Sequence, residues 1–212
     1  PFDSRHLATR SANKAALLQA LGLPEKQRAP LLGMVSRLDP QKGIDLAFDA
    51  LRSIQKYDWQ FVLVGTGDPQ LEADARKLEL DFPNRVKTVL RYDNALAHQI
   101  YASADLLLMP SRYEPCGLAQ LIGMRYGCIP VATRIGGLQD TISDPAGGRG
   151  QTGFLADEVS SGAFTSALVL ALERYGDPKG WQKLQKRAML RDFSWDKSAM
   201  KYLKLYHAMI GA

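Results

Sequence analysis

Short apolar runs punctuate the chain at regular intervals. Residues 31–35, 61–64, 86–90, 106–109 and 129–133 are each four to five residues long and lack clean polar alternation. That is the pattern of strands buried on both faces. Their starts lie 20 to 30 residues apart, room for one helix and two loops each time. A strand–helix–strand rhythm at this spacing predicts an α/β fold, with a doubly wound parallel sheet and right-handed crossovers.

The intervening segments carry helical periodicity. Ile44, Ala47, Phe48, Leu51 and Ile54 step by three and four, giving one apolar stripe. Leu96, Ala97, Ile100, Tyr101 and Ala104 repeat it after Asp93 and Asn94, good N-cap residues. A third helix is predicted over 118–126, opened by Gly117. Two more, over 164–175 and 179–190, are separated by Gly176-Asp177-Pro178, which stops one and starts the next. The last begins at Ser194-Trp195 and is expected to turn Ala199, Tyr202, Leu203, Tyr206 and Met209 inward. The Gly-rich stretch 144–152 reads as a loop. With no repeat, no low-complexity tract and no long linker, residues 1–212 read as one domain.

Composition narrows the class. The chain is 46% hydrophobic and 23% charged, as soluble globular proteins are. Its longest apolar run, 167–172, is about a third of a membrane span. The start, Pro1-Phe2-Asp3-Ser4-Arg5-His6, has no signal pattern and reads as a segment cut from a longer protein. Lys+Arg 27 against Asp+Glu 22 gives +5, with the signs interleaved. That suits a small anion or no particular partner better than a nucleic acid. Cys116 and Cys128 make neither a disulfide framework nor a metal cluster, so a reduced, cytosolic setting is expected.

In open parallel sheets, ligands bind past the carboxyl ends of the strands. The first such loop, Ser36 to Gly43, carries Arg37 and Lys42, two cations that can converge on one anion; the alternative is a solvated basic turn. The second, Gly65-Thr66-Gly67 with Asp68 as an N-cap, would let a backbone approach a ligand or form a plain tight turn, and it lacks the third glycine of the dinucleotide fingerprint. Tyr92, after the third run, is either rim packing or a flat platform for a purine. The fourth loop, from Pro110 through Ser111, Glu114, Cys116, Gly117, Leu118 and Ala119, sets a carboxylate beside a helix start. There Glu114 could grip a sugar hydroxyl while backbone N–H groups hold phosphate; otherwise Glu114 caps a helix or pairs with a cation. His6, His98 and His207 all lie away from strand ends, which argues against Cys116 as a nucleophile. In the fifth loop, the pair Gly136-Gly137 allows anion approach or simply a tight turn. Together the five loops describe a site for a nucleoside diphosphate carrying a hydroxylated group.

Four segments carry a family resemblance: Ser36-Arg37-Leu38 with Gln41-Lys42-Gly43, Glu114-Pro115-Cys116-Gly117-Leu118, Arg134-Ile135-Gly136-Gly137-Leu138, and Phe193-Ser194-Trp195. They resemble the C-terminal half of bacterial glycogen synthases and plant starch synthases, retaining glucosyltransferases of the GT-B fold. The likeness runs nearly end to end. It implies a Rossmann-like donor domain, with the N-terminal acceptor domain absent from this chain. It further implies that Arg37 and Lys42 bind the diphosphate of ADP-glucose and neutralise departing ADP. Glu114 would accept from glucose hydroxyls and Tyr92 would stack adenine. Ser111, Cys116, Gly117, Leu118, Ala119, Gly136 and Gly137, with Gly65 and Gly67, would line sugar and phosphates. Two positions depart from wider relatives. Ile122 replaces a second Glu, as is usual in glycogen synthases, and Ala119 replaces a Thr hydroxyl.

The reaction so implied moves glucose from ADP-glucose to the 4-hydroxyl end of an α-1,4-glucan, with retention. It uses no metal or cofactor, and the chain alone would bind donor but not complete catalysis. The expected compartment is the cytoplasm, or a plastid for a plant protein; no nucleic-acid or membrane partner is expected. Two alternatives stand beside this reading: a donor domain for another nucleotide-sugar such as UDP-glucose, and a non-catalytic nucleotide-binding module.

Overall fold

The computed structural model describes residues 2–26, 28–145 and 148–211. Among them, six strands form one parallel sheet: β1 (Leu31–Val35), β2 (Gln60–Val64), β3 (Val86–Val89), β4 (Leu106–Met109), β5 (Ile129–Thr133) and β6 (Phe154–Ala156). Their spatial order is β3-β2-β1-β4-β5-β6. The chain therefore starts in the middle, runs out to β3 and returns to β4 beside β1. This doubly wound, Rossmann-like order opens a crevice between the carboxyl ends of β1 and β4.

α1 (Arg10–Ala20) precedes the sheet, and α2 (Ile44–Ser53), α3 (Pro69–Asp81), α4 (Asn94–Ser103), α5 (Ala119–Arg125) and α6 (Gly136–Thr141) follow β1 to β5 in turn. After β6 come α7 (Ser161–Tyr175), α8 (Pro178–Met189) and α9 (Trp195–Ile210). Two apolar cores form, one per sheet face. Leu32, Met34, Phe61, Leu63, Leu106 and Leu108 pack toward α2, α3, α7 and α8. Leu31, Val62, Val64, Leu107 and Met109 pack toward α1 and α4. Alternate strand residues are thus buried on opposite faces, which is why no polar alternation marked them in the sequence.

Side chains start the helices where composition placed them. Asp68 accepts from the Gln70 and Leu71 amides ahead of α3, and Asp93 from Leu96 ahead of α4. Asp177, with Pro178 as the first helical residue, accepts from Gly180 and opens α8.

Two expectations need amendment, while the loop over 144–152 keeps its reading among the described residues. The sheet gains β6, three residues too short for a hydrophobic pattern to declare; it pairs with β5 from Val131↔Phe154 onward. The loop predicted over 144–152 includes residues 146 and 147, which lie outside the described residues. Its ends are tied by Thr152 N–H to the Ser143 carbonyl (2.8 Å), and the Asp144 carboxylate accepts from the Leu155 amide (2.8 Å), feeding the chain into β6. The inward face predicted for the last helix is absent: no residue of α9 is buried, and Trp195 is 86% exposed. The periodicity is there, but α7 and α8 already close the core that it would have joined. Pro1, the start of the segment, lies outside the described residues. Among those described, no helix is long and apolar enough to cross a membrane.

Candidate functional site

The loops after β1 and β4 are fastened to each other. Asp39 accepts from the Gln41 amide (2.8 Å) and starts a short 3-10 turn over Pro40–Lys42, which ends at Gly43 with φ +63°. A Cβ on Gly43 would lie 1.9 Å from the Pro110 carbonyl oxygen, so only glycine lets the loops meet here. Arg112 binds Asp45, the second residue of α2, through two parallel hydrogen bonds of 2.7 and 2.6 Å, and also donates to the Pro40 carbonyl. Its own amide donates to the Gln41 carbonyl (2.7 Å), while Gln41 Nε2 donates to that of Tyr113 (3.0 Å). The Arg112 guanidinium holds the Asp45 carboxyl below the usual carboxylate range.

This fastening delivers two predicted residues to one point. Lys42 Nζ lies 2.6 Å from Glu114 Oε2, with Glu114 only 7% exposed. Ser111 Oγ, itself buried, reaches the same oxygen at 3.3 Å. Both residues sit at the switch between β1 and β4, so the pair holds an ammonium and a carboxylate where strand order reverses.

The fifth loop supports the fourth from beneath. The Gly137 amide donates to the Glu114 carbonyl (2.9 Å), and a Cβ on Gly137 would lie 1.9 Å from the Cys116 carbonyl oxygen. Buried Gln120 donates through Nε2 to the Cys116 and Gly117 carbonyls and to Thr141 Oγ1, latching the turn onto α6. Cys116 and Leu118 stay exposed, Gly117 and Ala119 half-buried, and no side chain caps α5.

A cleft of about 290 Å³ opens past β1, β2 and β3. Ser36, Arg37, Gly65, Arg91, Tyr92 and Ile122 are among its walls. Tyr92 is 85% exposed, a free ring face at the rim. Arg37 is also free, with only a loose approach to Asp39 at 3.9 Å. Ile122 gives the cleft an apolar wall.

Several sequence readings change at this level. At Gly65 and Gly67 the missing Cβ admits the first loop, the tight-turn alternative, while Gly65 also lines the cleft. Cβ atoms there would lie 1.8 Å from the Ser36 carbonyl oxygen and 2.1 Å from that of Leu38. The Gly67 amide is taken by the Glu72 carboxylate, held low chiefly by the Thr66 hydroxyl. Gly137 likewise spends its amide on Glu114 rather than keeping it for a phosphate, and Gly136 is needed because the Glu114 carbonyl presses against it. Arg112, Asp45 and Glu72 escaped the sequence reading: Arg112 and Asp45 lie 67 residues apart, and no local spacing links them.

Residues 18–188 match the family described as glycosyl transferases group 1. The chain belongs to that family. Among curated members it is similar to the glycogen synthase of Streptococcus equi, at 44% identity over 99% of this chain and 44% of that protein. It is also similar to the catalytic domain of starch synthase IV from Arabidopsis thaliana bound to ADP and acarbose. That likeness has 38% identity and a TM-score of 0.89, and covers all of this chain and 45% of the other. A second solved structure, Anabaena Alr3699/HepE in complex with UDP and glucose, aligns at 26% identity with a TM-score of 0.67, over 89% of this chain and 49% of that one. The chain spans less than half the length of the glycogen synthases it matches. The fold is that of the C-terminal domain of GT-B glycosyltransferases.

Proposed function

We propose that this chain is the donor-binding half of a glycogen or starch synthase, holding ADP-glucose for transfer to an α-1,4-glucan. The observation that carries the reading is the Lys42–Glu114 pair, 2.6 Å apart and largely buried at the sheet's switch point, beside a cleft with Arg37 and Tyr92 on its rim. Residues 1–212 then form one donor domain, and the acceptor domain belongs to the portion of its relatives that the chain does not span.

In this reading the adenine stacks on Tyr92, and Arg37 and Lys42 meet the diphosphate. Glu114, positioned by Ser111 and Lys42, accepts from glucose hydroxyls, and the exposed Cys116–Ala119 turn lies along the sugar. As the anomeric carbon–oxygen bond to ADP breaks, charge grows on the phosphate oxygens. Cations fixed in advance stabilise that charge without reorganising, the main electrostatic route to rate. The glucan 4-hydroxyl then adds to the anomeric carbon with retention, and its proton leaves with ADP. Charge neutralisation falls to side chains, so the reading assigns no resident metal or cofactor; no cluster of three or more candidate ligands occurs among the described residues. Both cysteines are free thiols, which supports a reducing compartment such as the cytoplasm, or a plastid in a plant.

Calorimetric titration with ADP, ADP-glucose, UDP and UDP-glucose tests the reading. ADP and ADP-glucose are expected to bind more tightly than their uridine counterparts. Arg37→Ala and Lys42→Ala should each weaken ADP roughly 10- to 150-fold, as loss of a charge-assisted hydrogen bond does, and leave adenosine almost unchanged. Equal losses for ADP and adenosine would remove both cations from the site. Tighter binding of UDP-glucose would favour the second reading, which the Anabaena complex motivates.

A further inference from the structure

Most polar side chains on the cleft past β1, β2 and β3 are already engaged. Among the described residues, Asp93 is the acid on its wall, and both carboxylate oxygens are taken. Oδ1 accepts from the Leu96 amide (2.9 Å) and Oδ2 from the Arg91 guanidinium (2.8 Å). The Thr66 hydroxyl donates to Glu72 (2.7 Å), that of Ser36 donates to the Arg37 carbonyl (2.9 Å), and Tyr101 is buried. Beside the Tyr92 ring this leaves Asn94 and His98, both exposed. The Asn94 side-chain amide carries a donor and an acceptor on one rotatable group, so it suits either kind of ligand atom.

His98 is not adaptable in that way. Its Nδ1 lies 2.8 Å from the Asn94 carbonyl oxygen. A carbonyl only accepts, so Nδ1 carries the proton, and Nε2 of the neutral ring is then an acceptor. The same bond fixes where the ring stands. Asn94 is the first residue of α4 and follows Tyr92 by two positions. A ring folded back onto its carbonyl lies over the first turn of the helix, at the edge of the sheet where the cleft opens. Tyr101 braces the ring edge to face from the next turn, 6.4 Å between centroids.

We propose that His98 selects the base, with its Nε2 accepting from the exocyclic amino group of adenine. The inference rests on the donor-site reading above, which stacks adenine on Tyr92, and adds what reads the edge of the ring. Stacking tolerates any base, because each has a π face. An acceptor held in one tautomer favours a base that presents an N–H to it. Adenine offers its amino group, whereas uracil carries a carbonyl oxygen in the corresponding place, which would set lone pair against lone pair.

The test is calorimetric titration of the chain with ADP and with purine riboside 5′-diphosphate, the same nucleotide without the amino group. Wild type should bind ADP roughly three- to tenfold more tightly, as one added hydrogen bond does. His98→Phe keeps a ring beside Tyr101 but removes the acceptor. It should weaken ADP until the two ligands bind alike and leave the purine analogue unchanged. Tyr92→Ala should instead weaken both ligands by one factor, since stacking does not sense the amino group. Long-range proton–nitrogen spectra of the ligand-free chain in mildly alkaline buffer, assigned with His98→Phe, should show Nδ1 protonated and Nε2 bare. A wild type that binds both ligands alike, a ratio unchanged in His98→Phe, equal losses for both ligands there, or a proton on Nε2 would each overturn the assignment and leave the donor site standing. A chain that does not bind ADP, or a Tyr92→Ala that weakens neither ligand, would remove the donor-site reading and this inference with it.

Discussion

Gly137 carries more constraint than any side chain near it. A methyl group there would sit 1.9 Å from the Cys116 carbonyl, inside backbone that cannot yield. Gly137→Ala is expected to cost about 1–3 kcal/mol, as overpacking does, read as a lowered melting temperature. The two thiols differ as sharply. Burial pushes the Cys128 thiol up to about 12, whereas Cys116 stands exposed on the fourth loop. A thiol-specific reagent should therefore modify one cysteine in the native chain and two after unfolding. Arg37, Glu114 and Tyr92 could be singled out from the sequence because each follows a strand directly. Whether their neighbours are ligands or other loops could not be read locally. The glycines of the second loop look like ligand-facing residues for the same reason that they suit a crossing backbone: both uses require a missing Cβ.

Elements meet through the Asp45–Arg112 clamp, which joins the first turn of α2 to the loop after β4. Because the folded Asp45 pKa is depressed, the clamp stabilises the fold fully above the ordinary aspartate value of about 4. It loses that contribution as pH falls through the depressed folded value. Asp45→Asn should cost at most about 1 kcal/mol at neutral pH, both partners being partly exposed. The difference from wild type should vanish in acid, measured by denaturant unfolding across pH. In the sequence, five strands and the caps at Asp68, Asp93 and Asp177 were visible because each rests on a local pattern. β6 was not, since three apolar residues occur anywhere and only pairing with β5 makes them a strand.

Across the whole molecule, the parallel order places a ligand-sized cleft past the carboxyl ends of the strands. α9 contributes to neither core. Removing residues 194–212 is expected to change unfolding stability by no more than about 0.5 kcal/mol, as losses of exposed residues do. A larger loss in thermal unfolding would mean that its apolar stripe is covered. The stripe was correctly periodic in sequence, but periodicity reports a face that wants a partner, not where a partner lies.

Sequence alone determined the alternation of buried strands and helices, the edge of the sheet that carries the candidate site, and the family motifs on that edge. These follow from local periodicity, capping and loop composition. Tertiary structure alone decided that Lys42 reaches Glu114, that Arg112 fastens Asp45, and that paired glycines receive neighbouring loops. Each of those facts depends on residues far apart in the chain being brought within a few ångströms, and no short-range pattern encodes such an approach.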